Sequence, residues 1–226
     1  MLGHPDNRLL HLSIIFFAVP YFYSYWTSNS SKQSFSVEQA VVESWNKIIQ
    51  KPSMEFRKIV LGMNCNVDLI APATLLLTNM NVSASEGESD HMNMESIEQL
   101  ETTFTHFFKR GAPAERYTKD SKTFELLLST AEKTMKKEIE YYIGGNAALM
   151  AQRIADHHPG TTIILVGPIG PRAKALLHPQ ILTRNSTRIQ RDEMHIIMEY
   201  KQGEIWGEYV APQSTRFITS HDMFSH

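Results

Sequence analysis

Ile143-Gly144-Gly145-Asn146-Ala147-Ala148 is the stretch that decides the fold of this chain, because two glycines stand directly before a helical pattern. Small and apolar residues recur after the glycines at the spacing of one helix face: Ala147, Ala148, Met150, Ala151, Ile154 and Ala155. Paired glycines let the backbone come close to another surface, and a helix start leaves N–H groups without partners. Asn146 adds an amide that can both donate and accept hydrogen bonds. The stretch predicts either a site for a polyhydroxyl or anionic ligand at a helix N-terminus, or a tight strand-to-helix turn that binds nothing.

Two apolar segments on either side of this stretch are typical of buried strands. Residues 59–62 are followed by the polar run 63–68, and residues 161–166 are followed by the run 167–171, which contains glycine and proline. Open α/β sheets present ligand groups after the carboxyl ends of such strands, which makes Asp68 a candidate ligand carboxylate. The alternative for Asp68 is a helix or turn cap. Repeated strand–turn–helix units predict an α/β fold with a parallel sheet.

Caps and apolar periodicity predict three further helices. Ser36, followed three residues later by a glutamine, forms a potential capping box at the start of the first. Ser96 begins the second helix, which ends at Gly111, and the third runs from Ser121 to about Glu138.

Two stretches are predicted to be loops. The polar and acidic run 81–95 predicts a mobile surface loop. The run 111–117 predicts a loop in which the acidic Glu115 stands beside the basic Arg116. This pair is either part of a ligand site or a solvated ion pair.

The pattern changes towards the C-terminus. Strands are predicted over 194–200, 205–210 and 216–219, with a turn over 201–203. These segments predict a small sheet separate from the parallel one. Alternation places His195 and Glu199 on the same face of the first strand, where they form either a functional polar pair or a structural one.

Composition is that of an ordinary globular protein, with 42% hydrophobic and 20% charged residues. A net charge of −2 gives no reason to expect nucleic acid as a partner. The ten histidines are scattered, and the pair His157-His158 stands where a helix should end, so we expect it to support helix-end carbonyls. Cys65 is the one cysteine and cannot form an intrachain disulfide; we expect it to pack as a small hydrophobe in a strand.

The N-terminus carries an uncharged apolar run over residues 9–26, directly after Arg8. Such a run after a basic residue is typical of a signal peptide or signal anchor, and a buried first helix is the alternative. Pro20 and several tyrosines weaken it as a membrane span, although anchoring through residues 9–26 stays open. Sequons begin at Asn29, Asn81 and Asn185. We therefore predict the endoplasmic reticulum or secretion, with a linker over 27–35 and one domain over 36–226.

Six of these stretches together resemble the ADP-dependent glucokinase family, and they occur in the same order. They are Gly62-Met63-Asn64-Cys65-Asn66-Val67-Asp68, Gly111-Ala112-Pro113-Ala114-Glu115-Arg116-Tyr117, Tyr142-Ile143-Gly144-Gly145-Asn146-Ala147-Ala148-Leu149, 166–170, 194–200 and 216–222. The resemblance covers residues from about 36 to 226 and is strongest to animal members, which also begin with a hydrophobic segment. It implies a ribokinase-like fold, in which a large α/β domain carries a small lid sheet that closes over glucose.

The resemblance also implies an activity and a site. Members are kinases of glycolysis that transfer the β-phosphoryl group of ADP, with Mg²⁺, to the 6-hydroxyl of glucose. By motif position, the glucose contacts in this chain would be Asp68, Glu115, Gly144, Gly145 and Asn146, with His195 near the same cleft. Carboxylates and amides suit this task because each can bond several sugar hydroxyls.

The chain departs from the family in one respect. The catalytic Gly-x-Gly-Asp, the nucleotide pocket and the Asn-x-x-Glu metal motif of the family do not occur in these 226 residues. We therefore expect a sugar-binding half, a fragment, isoform or partial gene model, which does not phosphorylate glucose by itself. The alternative is a non-catalytic sugar-binding or regulatory protein.

Overall fold

The computed structural model describes residues 36–49, 56–87, 89–184 and 188–224. The chain divides into two compact units, residues 1–55 and 56–226. The described part of the first unit is one helix, α1 (Val37–Ile48), and none of its residues is buried. Ser36 and Gln39 form the predicted capping box, since each side chain accepts a hydrogen bond from the backbone N–H of the other, at 3.2 Å.

The second unit contains a three-stranded parallel sheet with strand order β1-β6-β7, which confirms the predicted parallel layer. Its strands are β1 (Lys58–Gly62), β6 (Thr162–Val166) and β7 (Ile181–Thr183). Helix α5 (Asn146–His157) packs against all three strands through alanines that are buried on its inner face. Helix α6 (Pro171–Leu176) follows β6 after a short turn.

A larger, six-stranded mixed sheet has the order β3-β4-β11-β8-β2-β5. Its strands in chain order are β2 (Asn66–Pro72), β3 (Asn93–Met94), β4 (Ala114–Thr118), β5 (Glu140–Gly144), β8 (Met194–Tyr200) and β11 (Thr215–Ser220). The central pair β2–β8 is parallel, whereas β8–β11 and β2–β5 are antiparallel. A separate two-stranded hairpin consists of β9 (Ile205–Trp206) and β10 (Tyr209–Val210).

One face of the six-stranded sheet is covered by apolar packing. The helices beside the sheet are α2 (Ala73–Asn79), α3 (Ile97–Arg110) and α4 (Ser121–Thr134). Phe104 of α3 lies at the centre of an aromatic cluster, with ring centroids 5.6 to 5.8 Å from Phe108, Tyr200, Trp206 and Phe217. The contacts with Tyr200, Trp206 and Phe217 are edge-on, and such contacts add to the stabilisation that burial provides.

The predicted helix ends are confirmed at several positions. Ser96 caps α3, and Gly111 ends it in the left-handed region at φ +59°. Helix α4 starts at Ser121 as predicted but ends at Thr134, earlier than expected. His157 ends α5, and its Nδ1 lies 3.0 Å from the Arg153 carbonyl oxygen.

Two polar stretches contain strands that were not predicted. The polar run 63–68 after β1 includes the start of β2, which begins at Asn66 and places Asp68 inside a strand rather than at a helix or turn cap. The run 111–117, predicted to be a loop, contains most of β4, which pairs with β11 and β3. Cys65 is fully buried as expected, but it lies just before β2 rather than in a strand. The described residues of the other polar run are irregular from 82 to 87 and from 89 to 92, and the strand β3 follows them.

Strands β8 and β11 lie in a sheet distinct from the parallel one, as predicted, whereas residues 205–210 form the hairpin β9–β10 rather than the one strand predicted. That sheet is larger than expected, because β8 and β11 pair with strands from the first half of the chain. Among the described residues no helix is long and apolar enough to cross a membrane. The run 9–26 and the sequons at Asn29 and Asn185 lie outside the described residues.

Candidate functional site

The face of the six-stranded sheet opposite the aromatic cluster carries most of the predicted site residues. We call it the open face; it is the side on which Asp68 and His195 stand. The two residues are register partners on the parallel strands β2 and β8, so their side chains project to the same side. Both are partly buried. Along the same row of the sheet, Ser220 of β11 is the register partner of His195, and Tyr117 of β4 is the register partner of Ser220.

Glu115 projects from the same open face, one row further along the strands. It pairs with Ile218 of β11, which in turn pairs with Ile197 of β8. Three strand spacings separate β2 from β4, or roughly 14 Å between backbones. The side chains of Asp68 and Glu115 therefore stand on the same face, on opposite sides of the strand pair β8–β11.

Asp68 is held by a neighbour on its own strand. Asn66 Nδ2 donates a hydrogen bond of 2.7 Å to Asp68 Oδ1. The pKa of Asp68 is raised, chiefly by burial and further by Glu115, while His195, the Asn66 hydrogen bond and Arg216 act in the opposite direction. The site therefore keeps a desolvated carboxyl group that is ready to accept hydrogen bonds.

The two glycines are explained by close approach to this carboxyl group. A Cβ on Gly144 would lie 2.4 Å from Asp68 Oδ1 and 2.4 Å from Asn66 Nδ2. Gly145 has φ +86°, and a Cβ there would lie 2.4 Å from Asn64 Oδ1 and 2.6 Å from the Asn64 carbonyl oxygen. No other residue type fits both positions without displacing these groups.

Gly145 also leaves the start of α5 without a side-chain cap. It is the N-cap residue, and it makes no side-chain hydrogen bond there. Asn146 follows as the first residue of the helix and is exposed. No capping side chain therefore satisfies the backbone donors at this helix start, although the Ala148 N–H donates to the Asn64 carbonyl oxygen at 3.3 Å. The predicted strand-to-helix turn is confirmed, and its ligand role stays a prediction.

His195 makes its ion pair with Asp222 rather than with Glu199. Its Nε2 lies 3.1 Å and 3.2 Å from the two carboxylate oxygens of Asp222. Glu199 is exposed four residues further along β8, where it faces Arg216 across the strand pair. Burial lowers the pKa of His195, but the Asp222 hydrogen bond and the negative charges of Asp222, Asp68 and Glu115 outweigh it, so the pKa is raised.

Glu115 and Arg116 do not act side by side, because successive residues of a strand point to opposite faces. Arg116 turns away from the open face and binds Asp90 with two hydrogen bonds, of 2.6 and 2.7 Å. Its guanidinium also lies over the Phe107 ring, 4.7 Å from the centroid. Arg116 thereby fastens the irregular segment before β3 to the sheet.

Four residues of this face were not singled out from the sequence: Asn66, Tyr117, Arg216 and Asp222. The alternation Asn66-x-Asp68 is a signal that could have revealed a polar strand face. The meeting of Asp222 with His195 depends on the pairing of β8 with β11, which no local pattern specifies.

The described residues do not supply a Mg²⁺ site. Among them, no three His, Cys, Asp or Glu side chains are arranged so that they could hold a metal ion. Mg²⁺ stays an expectation that derives from the resemblance.

Comparisons with known proteins agree with the fold and the motifs. A family model described as the ADP-specific phosphofructokinase/glucokinase conserved region matches residues 57–226. The chain is 52% identical over 219 residues to a probable ADP-dependent glucokinase of Caenorhabditis elegans, and 35% identical over 188 residues to an ADP-dependent glucokinase of Bos taurus. These alignments cover 97% and 83% of the chain but 43% and 37% of the relatives, so the chain spans less than half of their length.

Solved structures support the fold alone. A hypothetical ADP-dependent phosphofructokinase from Pyrococcus horikoshii superposes with a TM-score of 0.57 at 20% identity, over 74% of this chain and 42% of the other. An ADP-dependent kinase in complex with fructose 6-phosphate and ADPβS gives 0.53 at 16% identity, over 73% and 35%. The family model and both relatives show that this chain, whose α/β fold agrees with them, belongs to the ADP-dependent glucokinase family.

Proposed function

We propose that the open face binds glucose, and that this chain is the sugar-binding half of an ADP-dependent glucokinase. The observation that carries the proposal is the convergence of Asp68, His195 and Gly144 at one point of the open face. Glu115 stands on the same face, across β8 and β11 from Asp68. Ionised carboxylates can each accept bonds from two sugar hydroxyls, and the uncapped start of α5 offers donors to the sugar oxygens.

In the complete reaction that we propose, the β-phosphoryl group of ADP passes to the glucose 6-hydroxyl, giving glucose 6-phosphate and AMP. Mg²⁺, when bound, would neutralise charge on the phosphates. The role of this chain in the reaction would be to bind and orient the hexose, because holding a reactant in the right geometry lowers the barrier. Asp68 and Glu115 would fix the ring through its hydroxyls, and the open face would exclude water once it is covered.

We propose further that these 226 residues alone do not phosphorylate glucose. They contain neither a Gly-x-Gly-Asp nor an Asn-x-x-Glu motif, so the family's hydroxyl-activating aspartate and metal motif are not among them. Phosphoryl transfer depends on an oriented nucleophile and on stabilisation of charge, and in the family the aspartate and the metal motif serve these two purposes.

One feature favours the second candidate, a non-catalytic sugar-binding or regulatory protein that engages a partner. The outer face of the three-stranded sheet exposes apolar side chains in one row: Val60 is 62% and Leu182 is 53% exposed, with Ile164 between them. Parallel sheets are usually covered on both faces, so this row suits contact with another polypeptide.

Glucose titration by calorimetry tests the proposed function. The wild-type chain should bind glucose, and Asp68→Ala should abolish the measurable binding. Asp156→Asn, an exposed position near the end of α5, is the matched control and should bind as the wild type does. Absence of glucose binding by the folded wild-type chain would overturn the proposal. Magnesium-dependent turnover of ADP and glucose that is lost in Asp68→Ala would overturn the proposed inactivity and exclude the non-catalytic alternative.

We also propose that the chain enters the endoplasmic reticulum or is secreted, through residues 9–26. The sequon at Asn81 supports this route, because Asn81 is exposed. Expression in animal cells should give a species whose electrophoretic mobility changes on glycosidase treatment. Substitution Asn81→Gln should reduce that change, and a chain without any glycan would argue against this route.

A further inference from the structure

The residue that precedes β8, Glu193, holds the turn that follows β11. Its side chain is buried, with 5% exposure. The carboxylate accepts two successive backbone N–H groups: Met223 donates to Oε1 at 2.9 Å and Phe224 to Oε2 at 3.4 Å. The Glu193 carbonyl oxygen also accepts the Val67 N–H at 2.8 Å. A buried carboxylate that satisfies successive backbone donors fixes the position of that turn.

The turn fixed by Glu193 carries Asp222 to the open face. The Asp222 carboxylate reaches His195 Nε2 at 3.1 Å, and the Tyr117 hydroxyl donates to the Asp222 carbonyl oxygen at 3.4 Å. His195 in turn is the register partner of Asp68. A continuous series of contacts therefore leads from Glu193, through the turn and Asp222, to the imidazole beside the predicted sugar carboxylate.

The charges around His195 come from three elements. Asp222 lies on the turn, Asp68 on β2 and Glu115 on β4, and together they outweigh the effect of burial and raise the pKa of His195. Arg216 on β11, like His195, lowers the pKa of Asp68 and so acts against the effect of burial. A charged imidazole opposes the effect of burial on Asp68, and it thereby favours the ionised carboxylate that accepts two hydroxyls.

We propose that Glu193 and Asp222 are positioning residues of the hexose site: Glu193 fixes the turn, and Asp222 orients the His195 imidazole beside Asp68. The inference rests on the proposed function, because it assumes that glucose binds at the open face. Neither residue needs to touch the sugar. Both act through the imidazole, so their substitution should alter how binding depends on pH.

The experiment follows the imidazole itself in the full chain. The titration of His195 is measured by NMR, with the signal assigned through His195→Gln, in the wild type, Asp222→Asn and Glu193→Gln. In Glu193→Gln an amide nitrogen replaces one acceptor oxygen, so one of the two backbone donors loses its partner. Glu204→Gln is the matched control, because Glu204 also accepts a backbone N–H, from Lys201 at 2.9 Å, beyond the other end of β8.

Both test variants should move the His195 titration to lower pH, and Glu204→Gln should leave it unchanged. The Kd for glucose should rise about tenfold at a pH between the His195 pKa values that NMR gives for the variant and the wild type, and should differ less at a pH below both. A role in stability alone would lower the unfolding midpoint without changing either pH profile. An unchanged His195 titration in Asp222→Asn and Glu193→Gln would overturn the inference, as would a shifted titration with wild-type glucose affinity at both pH values. If the wild type itself binds no glucose, the proposed function fails, while the NMR titration still decides whether Glu193 and Asp222 control His195.

Discussion

Gly144→Ala is the sharpest test of how the site is built, because it adds one methyl group at the closest backbone approach to Asp68. The new Cβ would lie 2.4 Å from Asp68 Oδ1 and 2.4 Å from Asn66 Nδ2, well inside van der Waals contact. The Asp68 carboxylate would have to move and to give up the 2.7 Å hydrogen bond from Asn66. Wild-type geometry at Asp68 is therefore incompatible with any side chain at residue 144.

The size of the effect follows from two opposing contributions. Overpacking of a close-packed site costs about 1–3 kcal/mol. Alanine in place of glycine within a strand returns about 0.5–1 kcal/mol. The free energy of unfolding should therefore fall by up to about 2.5 kcal/mol. Glucose binding should be weakened more than the fold is, because the displaced carboxylate loses a charge-assisted hydrogen bond to the sugar worth about 1.5–3 kcal/mol. The Kd for glucose should therefore rise roughly tenfold or more.

Urea unfolding followed by circular dichroism measures the stability, and calorimetry measures the Kd. Gly160→Ala is the matched control, because a Cβ at Gly160 meets no atom within 4 Å, and it should change neither quantity. If Gly144→Ala binds glucose with the wild-type Kd and unfolds at the wild-type urea concentration, the close approach to Asp68 is not a requirement of the site.

Three other substitutions test separate parts of the structure. Asp68→Asn should abolish glucose binding and raise the urea midpoint at neutral pH. Burial raises the pKa of Asp68, so the ionised carboxylate destabilises the fold above that pKa. The gain in stability should vanish in acid, where Asp68 is protonated. Gly111→Ala should lower the free energy of unfolding by about 1–3 kcal/mol, because alanine is strained at φ +59°, and an unchanged urea midpoint would contradict this. Arg116→Lys should lower the free energy of unfolding by about 1 kcal/mol, since lysine cannot form both hydrogen bonds with Asp90. Lys119→Met, which removes an exposed ion pair with Glu95, is the control and should unfold at the wild-type urea concentration.

Local signals in the sequence predicted the parts of the fold that depend on local interactions. The capping residue Ser36, the helix stop at Gly111 and the turn at Gly145 need only neighbouring residues, and the structure has all three as predicted. The parallel strands β1 and β6 were also predictable, because each is a continuous apolar run bounded by turn residues.

Strands β2 and β4 escaped prediction because half of their residues face the site. Asn66 and Asp68 interrupt the apolar alternation of β2, and Glu115 with Arg116 makes β4 resemble a polar loop. Their strand character comes from pairing with β8 and β11, which lie about a hundred residues away along the chain. Sequence alone therefore proposed side chains for the candidate site but not the surface on which they stand. The partner of His195 was assigned to Glu199 for the same reason.

The alternation of β2 has a consequence for how this family can vary in evolution. Val67 and Leu69 flank Asp68 in the sequence and are fully buried on the opposite side. A single-residue insertion or deletion within the strand would send the carboxylate into the hydrophobic interior and a leucine to the surface. Changes in sugar preference should therefore accumulate as point substitutions in β2, whereas changes of length should be confined to the connections outside it.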